Sequence, residues 1–176
     1  MTKNSSFTFT PSNLKKAQEV ISHYPEGKQR SAILALLDLA QRQNDGWVSR
    51  EVIEYVGDLL DTPYIRVYEV ASFYTMFNLK PVGKYHIQVC GTTPCWLRGA
   101  ADIMKICEKE KNNPDFTISE VECLGACVNA PVVQINDDYY EDLSPEIMQN
   151  LIARVKRGEV IKSGSQIGRQ TSDAAH

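Results

Sequence analysis

The first 80 residues place apolar side chains at helical spacing. Leu14, Ala17 and Ile21 stand at i, i+3 and i+7 from a start near Ser12, and the pattern stops at Tyr24-Pro25-Glu26-Gly27. A second helix is predicted from about Lys28 to Gln43, with Ile33, Leu36, Leu37 and Ala40 as its main face and Leu34 and Leu39 widening it. A stripe that broad belongs at the centre of a bundle. Asn44-Asp45-Gly46 ends it. Ser49 is a good N-cap for a third helix, whose face is Val52, Val56, Leu59 and Leu60. Asp61-Thr62-Pro63 reads as a cap followed by proline at the first helical position, opening a fourth helix from Tyr64 to about Met76. That helix has Ile65, Tyr68, Ser72 and Met76 on one side and Val67, Val70, Ala71 and Tyr74 on the other. Two apolar sides fit either a deep place in the bundle or a surface for a partner. Residues 1–10 are polar and are predicted to fray.

Beyond Pro81-Val82-Gly83 the period changes to 2. Tyr85, Ile87 and Val89 alternate with His86 and Gln88, which predicts a half-buried strand. Thr93-Pro94 restarts a helix that runs from Cys95 to about Glu110, where Lys111-Asn112-Asn113-Pro114 breaks it. Phe116, Ile118 and Val121 mark a second strand, Pro131 to Ile135 a third, and Tyr139-Tyr140 a fourth after the turn Asn136-Asp137-Asp138. Ser144-Pro145 opens a last helix with Ile147, Leu151 and Val155 on one face, stopped by Gly158. The predicted class is α+β: an N-terminal four-helix domain over residues 1–80, a β-α-β-β-β-α domain over 81–160, and a flexible polar tail over 161–176. The second domain has the element order of a thioredoxin-like fold.

Charge and composition narrow the function. The chain has 176 residues and a formal net charge of −3, without the Lys/Arg footprint of a nucleic-acid binder. No run approaches the ~18 apolar residues of a membrane span. The first ten residues lack the basic start and apolar stretch of a secretory signal and the Arg-rich amphipathic character of a transit peptide, so a reducing cytoplasm is the predicted compartment. Five cysteines, an odd number, suit that compartment better than a disulfide framework. There is no Gly-x-Gly-x-x-Gly and no P-loop, so no nucleotide site is predicted. His23, His86 and His176 have no nucleophile beside them in sequence and read as filler. Asp137, Asp138, Glu141 and Asp142 read as a solvated hairpin rim, since they lack the spacing of a calcium loop.

Two thiol pairs carry the chemistry. Cys90-Gly91-Thr92-Thr93-Pro94-Cys95 and Cys123-Leu124-Gly125-Ala126-Cys127 each start where a strand pattern ends. The residues between the sulfurs are mostly small, which lets the loop fold back and aims backbone N–H groups inward. Four thiolates converging from two such turns make a closed metal site, and sulfur-only sites belong to zinc or to iron–sulfur clusters. Spacing alone leaves these two metals open, because loops of two to four residues also serve zinc. A dithiol oxidoreductase is disfavoured, since neither pair is Cys-x-x-Cys. A [2Fe–2S] unit on four thiolates is dianionic when oxidised, so it needs N–H donors around it. The start of the helix at Pro94-Cys95 is predicted to supply donors and a favourable dipole. Cys107, four residues after Ile103, reads as a small core hydrophobe.

Three segments resemble a known family: Val67-Tyr68-Glu69-Val70-Ala71-Ser72-Phe73-Tyr74-Thr75-Met76-Phe77-Asn78, the Cys90 to Cys95 loop with Trp96-Leu97-Arg98-Gly99, and residues 122–138. They resemble the small [2Fe–2S] subunit of respiratory complex I, the E-subunit family of bacterial NADH-quinone oxidoreductase, over roughly residues 10–160. The resemblance implies a thioredoxin-like [2Fe–2S] ferredoxin domain behind a helical domain, with one cluster held by Cys90, Cys95, Cys123 and Cys127. It implies single-electron exchange with the FMN of a partner flavoprotein subunit that binds NADH, and contact with the adjacent iron–sulfur subunit. It places the chain in the cytoplasm, peripheral on the inner face of a bacterial plasma membrane through the complex, without membrane insertion. One departure is that the connection between Asp102 and Glu120 looks shorter than in the family, which bears on where the second strand begins. The same module also serves NAD-linked hydrogenases and formate dehydrogenases, and a structural Cys₄ zinc module is the alternative of a different class.

Overall fold

A computed structural model describes residues 7–172. The expected fraying of residues 1–6, and the expectations for residues 173–176 including His176, lie outside the described residues. The chain forms two compact units that divide between Val82 and Gly83.

The first unit is helical. It contains α1 (Pro11–Ser22), a 3₁₀ turn (Gln29–Ala32), α2 (Ile33–Gln43), α3 (Arg50–Leu59) and α4 (Tyr64–Phe73). Thr10 caps α1 by accepting from the Asn13 N–H at 3.3 Å, and Ser49 caps α3 by accepting from Val52 N–H at 3.3 Å. Both satisfy N–H groups that a helix start leaves unpaired. Ile33, Leu36, Leu37 and Ala40 of α2 are buried as predicted, and Val52 and Val56 of α3 meet them in one core. Leu34 lies on the surface instead.

Three local expectations are corrected here. Phe7 and Phe9 do not fray: they stack edge-on against Tyr55, with Phe9 in the core. Pro63 occupies the N-cap position of α4 rather than the first helical turn, and the Thr62 hydroxyl donates back to Leu60 C=O at 3.1 Å instead of capping. The helix also ends at Phe73, where Tyr74 turns extended, so Met76 is beyond it. Within α4, Val67 and Ala71 face the core, while Ile65, Tyr68 and Phe73 are exposed.

The second unit is a five-stranded sheet in the order β2-β1-β3-β4-β5. Its strands are β1 (Tyr85–Cys90), β2 (Phe116–Val121), β3 (Val133–Ile135), β4 (Asp138–Glu141) and β5 (Gly164–Ser165), and its helices are α5 (Thr93–Leu97), α6 (Ala100–Cys107) and α7 (Pro145–Lys156). β1 is parallel to β2 and antiparallel to β3; β3 and β4 form an antiparallel hairpin. Ile87 stands opposite both Ile118 and Ile135, whereas Gln88 stands opposite Ser119 and Gln134. The alternation thus gives one apolar and one polar face. Ile87 and Val89 on the apolar face share a core with Ile103 of α6 and Met148 and Leu151 of α7. Ser144 caps α7 by accepting from Ile147 N–H at 3.2 Å, with Pro145 at the first turn.

The predicted helix from Cys95 to about Glu110 is two helices. Gly99, at φ +95°, breaks it between α5 and α6. The expected flexible tail is also corrected. Gly164–Ser165 pairs parallel with β4, Tyr140 opposite Gly164 and Glu141 opposite Ser165, so the chain returns to the sheet after α7. Glu141 and Asp142 are correspondingly not a solvated rim: they are 1% and 7% exposed and take hydrogen bonds from that returning segment. The α+β class and the predicted β-α-β-β-β-α order of this unit stand, with the first helix split into α5 and α6 and β5 added. Among the described residues, no helix is long and apolar enough to cross a membrane.

Candidate metal centre

Cys90 is the last residue of β1. Its N–H donates to Val132 C=O at 3.2 Å, and the next residue, Gly91, donates to Val121 C=O at 3.1 Å. The strand end is thereby pinned between β2 and the segment entering β3. The chain then turns through Thr92 into α5, which carries Cys95 in its single turn. The second pair sits on the loop after β2. Gly125 there has φ +86°, a left-handed conformation that a side-chain-bearing residue resists, and a 3₁₀ turn (Cys127–Asn129) follows.

The four predicted residues come together. Cys123 Sγ and Cys127 Sγ are 3.4 Å apart. Cys90 interacts with Cys95 inside its own pair, and with Cys123 and Cys127 across the pairs. Cys90 and Cys95 are buried, with Ala126, Ala130 and Val132 around them, while Cys123 and Cys127 are exposed. The site therefore has an inner wall and an open edge. Among the described residues, no three or more His, Cys, Asp or Glu side chains gather around a point suited to one ion; the thiols stand as two pairs.

Hydrogen-bond donors surround the sulfurs. The Thr92 hydroxyl lies 3.3 Å from Cys90 Sγ and also reaches Cys123. Gly125 N–H donates to Cys123 Sγ at 3.4 Å. Backbone N–H groups of Leu124 and Thr92 point to Cys90, and that of Val132 to Cys95. The predicted helix-start contribution is corrected. α5 is one turn with a proline in it, too short for a substantial dipole, and the loops supply the donors instead.

These donors split the thiols. Burial opposes ionisation of Cys90, but the Thr92 hydroxyl, the Leu124 and Thr92 N–H groups and the Cys95 thiol outweigh it and hold its pKa below the ordinary thiol value. The Gly125 N–H, then the Cys127 thiol and Thr92, lower that of Cys123. Burial and the neighbouring Cys90 push Cys95 up to about 12, and the Cys123 sulfur raises Cys127. Each pair thus has one thiol shifted toward easier ionisation and one shifted away from it. The donor set of four thiols, two pairs and a ring of N–H groups fits an iron–sulfur cluster.

The remaining candidates fall elsewhere. Cys107 is fully buried in the α6/α7 core and burial pushes its thiol up to about 12. His86 Nε2 pairs with Ser119 Oγ at 2.9 Å on the polar sheet face. Three participants escaped the sequence reading. Thr92 was visible only as a small loop residue. Tyr139 packs beside the buried thiols, where burial and then the Cys123 and Cys90 charges raise its pKa. Asn129, two residues after Cys127, is buried and donates through Nδ2 to Glu141 and Gln170. A cleft of about 610 Å³ opens beside the 124–126 turn, lined by Asp138, Tyr139, Glu141 and Gly164 among others.

A sequence profile of the thioredoxin-like [2Fe-2S] ferredoxin family matches residues 17–156. The chain is 63% identical over 163 residues to the E subunit of NADH-quinone oxidoreductase from Rickettsia conorii, covering 88% of this chain and 98% of that protein. It is 62% identical over 159 residues to the Rickettsia typhi protein of the same name, covering 86% and 94%. Among solved structures, an NAD+-reducing [NiFe]-hydrogenase in the air-oxidised state superposes with a TM-score of 0.62 at 19% identity, over 72% of this chain and 23% of that one. That likeness shows the fold alone. On the profile match and the Rickettsia relatives, the chain belongs to the thioredoxin-like [2Fe-2S] ferredoxin family and, within it, to the E-subunit family of NADH-quinone oxidoreductase.

Proposed function

We propose that this chain is the electron-transfer subunit of an NADH-quinone oxidoreductase, with one [2Fe–2S] cluster on Cys90, Cys95, Cys123 and Cys127. A cluster bound there would supply one-electron chemistry without making or breaking substrate bonds. The observation that carries the reading is the convergence of two thiol pairs inside a ring of N–H donors. Cys90 and Cys95 anchor the site from the buried side. Leu124, Gly125, Val132 and Thr92 offset the negative charge of the sulfurs. Cys123 and Cys127 face outward, which leaves a short path for an electron to a docked partner. Trp96, Leu97 and Val128, each next to a ligand or one residue beyond it and 63%, 70% and 74% exposed, supply an apolar rim that a partner would cover, excluding water.

The partner on this reading is the flavoprotein subunit that holds FMN and binds NADH, with the adjacent iron–sulfur subunit nearby. The chain then sits peripherally on the inner face of a bacterial plasma membrane through the complex. Identity to the Rickettsia E-subunit proteins over nearly their whole length supports this assembly ahead of an NAD+-reducing hydrogenase. The test is to reduce the loaded chain with dithionite, remove excess reductant, and mix it anaerobically with the oxidised flavoprotein. The visible absorption of the oxidised cluster should return as the flavin bleaches. Unchanged cluster and flavin spectra in a co-eluting complex would overturn the proposed electron exchange.

A further inference from the structure

We propose that residues 161–172 form a strap that positions the Cys127 turn, with Asn129, Glu141, Asp142 and Arg169 as positioning residues for cluster ligation. The inference rests on the cluster assignment above.

The strap returns to the sheet as β5 and then crosses to the cysteine loop. Arg169 Nη1 donates to Asp142 Oδ1 at 2.7 Å, and Nη2 donates to Val128 C=O at 3.4 Å. Val128 directly follows Cys127. The next residue, Asn129, is held from three sides. Its C=O accepts from Asp142 N–H at 2.7 Å. Its Nδ2 donates to Glu141 Oε2 at 2.6 Å and to Gln170 C=O at 2.7 Å. Glu141 in turn accepts from Ser172 N–H at 3.0 Å and from the Ser172 hydroxyl. Asp142 Oδ2 accepts from the Ser165 hydroxyl at 2.7 Å.

Two adjacent carboxylates, nearly fully buried, are costly unless every oxygen is occupied. Here the strap occupies them, and the same groups grip the two residues after a ligand. A structural clasp alone would have no need to reach Val128 and Asn129. The arrangement fixes where the Cys127 turn stands, which matters because ligands are oriented by the groups behind them. Gly164 makes the crossing possible. It has φ +84°, and a Cβ there would run into the Thr171 methyl.

The test uses the full chain, loaded anaerobically, as Gly164→Ala, Arg169→Gln and Arg169→Lys. None of these residues is a proposed ligand, the Arg169 side chain is 52% exposed, and the urea midpoint registers any loss of fold. Cluster loss is followed as decay of visible absorption under an iron chelator, with EPR of the reduced state and a urea midpoint alongside. Gly164→Ala and Arg169→Gln should lose the cluster about tenfold faster and show altered g-anisotropy. Arg169→Lys, which keeps the charge against Asp142, should recover much of the lifetime. Parent-like decay and EPR in Arg169→Gln would overturn the proposal, as would faster decay explained wholly by a lower urea midpoint with an unchanged EPR spectrum. A parent that never takes up a cluster would instead defeat the cluster assignment, and is seen before any variant is compared.

Discussion

The Thr92 hydroxyl lies 3.3 Å from Cys90 Sγ and reaches Cys123 as well, so one side chain touches a proposed ligand from each cysteine loop. A donor in that place favours the more negative, reduced state. Thr92→Val should therefore lower the reduction potential, on the order of 40 mV for about 1 kcal/mol of lost hydrogen bonding. Thr92→Ser should restore it. Redox titration followed by EPR checks both, and an unmoved potential in the valine variant would remove Thr92 from the account.

The cysteines should separate by substitution. Cys90→Ser or Cys95→Ser places a hydroxyl among buried sulfurs and should abolish stable cluster content, measured as iron and sulfide per chain. Cys107→Ala, in the α6/α7 core, should leave that content unchanged and cost about 1 kcal/mol in urea unfolding.

His86 gives a pH signature. Burial lowers its pKa, so the unfolded chain binds the proton more readily than the folded one. Stability from this group is intact above the ordinary histidine value of about 6.5. It falls as pH drops from there through the lowered folded value. Urea midpoints at pH 7.5 and 5 should differ less for His86→Gln than for the parent. An equal difference would assign the acid sensitivity elsewhere.

The exposed side of α4 should matter to assembly and not to the cluster. Ile65 and Phe73 are 54% and 77% exposed, and Ile65→Glu with Phe73→Glu should weaken co-purification with the flavoprotein about tenfold. Iron content should remain at the parent level. Loss of iron with the partner still bound would contradict this division of roles.

Much of this was legible because burial and spacing write directly into sequence. The alternation of Tyr85 to Val89 announced β1, and Ser49 and Ser144 announced their helices. The paired cysteines pointed to the candidate site. What stayed hidden depends on contacts distant in sequence. Nothing local says that Glu141 and Asp142 will meet Asn129, Ser165, Arg169 and Ser172, so an acidic pair after a hairpin reads as solvated. For the same reason a polar stretch after α7 reads as a tail, since its partners are about 20 to 40 residues away. Thr92 reads in the sequence only as a small loop residue, because its side-chain role arises when the second loop folds against the first. Gly99 broke a helix whose apolar period ran on past it.

Metal analysis of the anaerobically purified chain addresses the central claim most directly: iron, sulfide and zinc per chain, with EPR after dithionite reduction. The account predicts a red-brown protein with about two irons and two sulfides and a spin-half signal on reduction. A colourless protein with stoichiometric zinc, unchanged after iron–sulfur reconstitution, would contradict it.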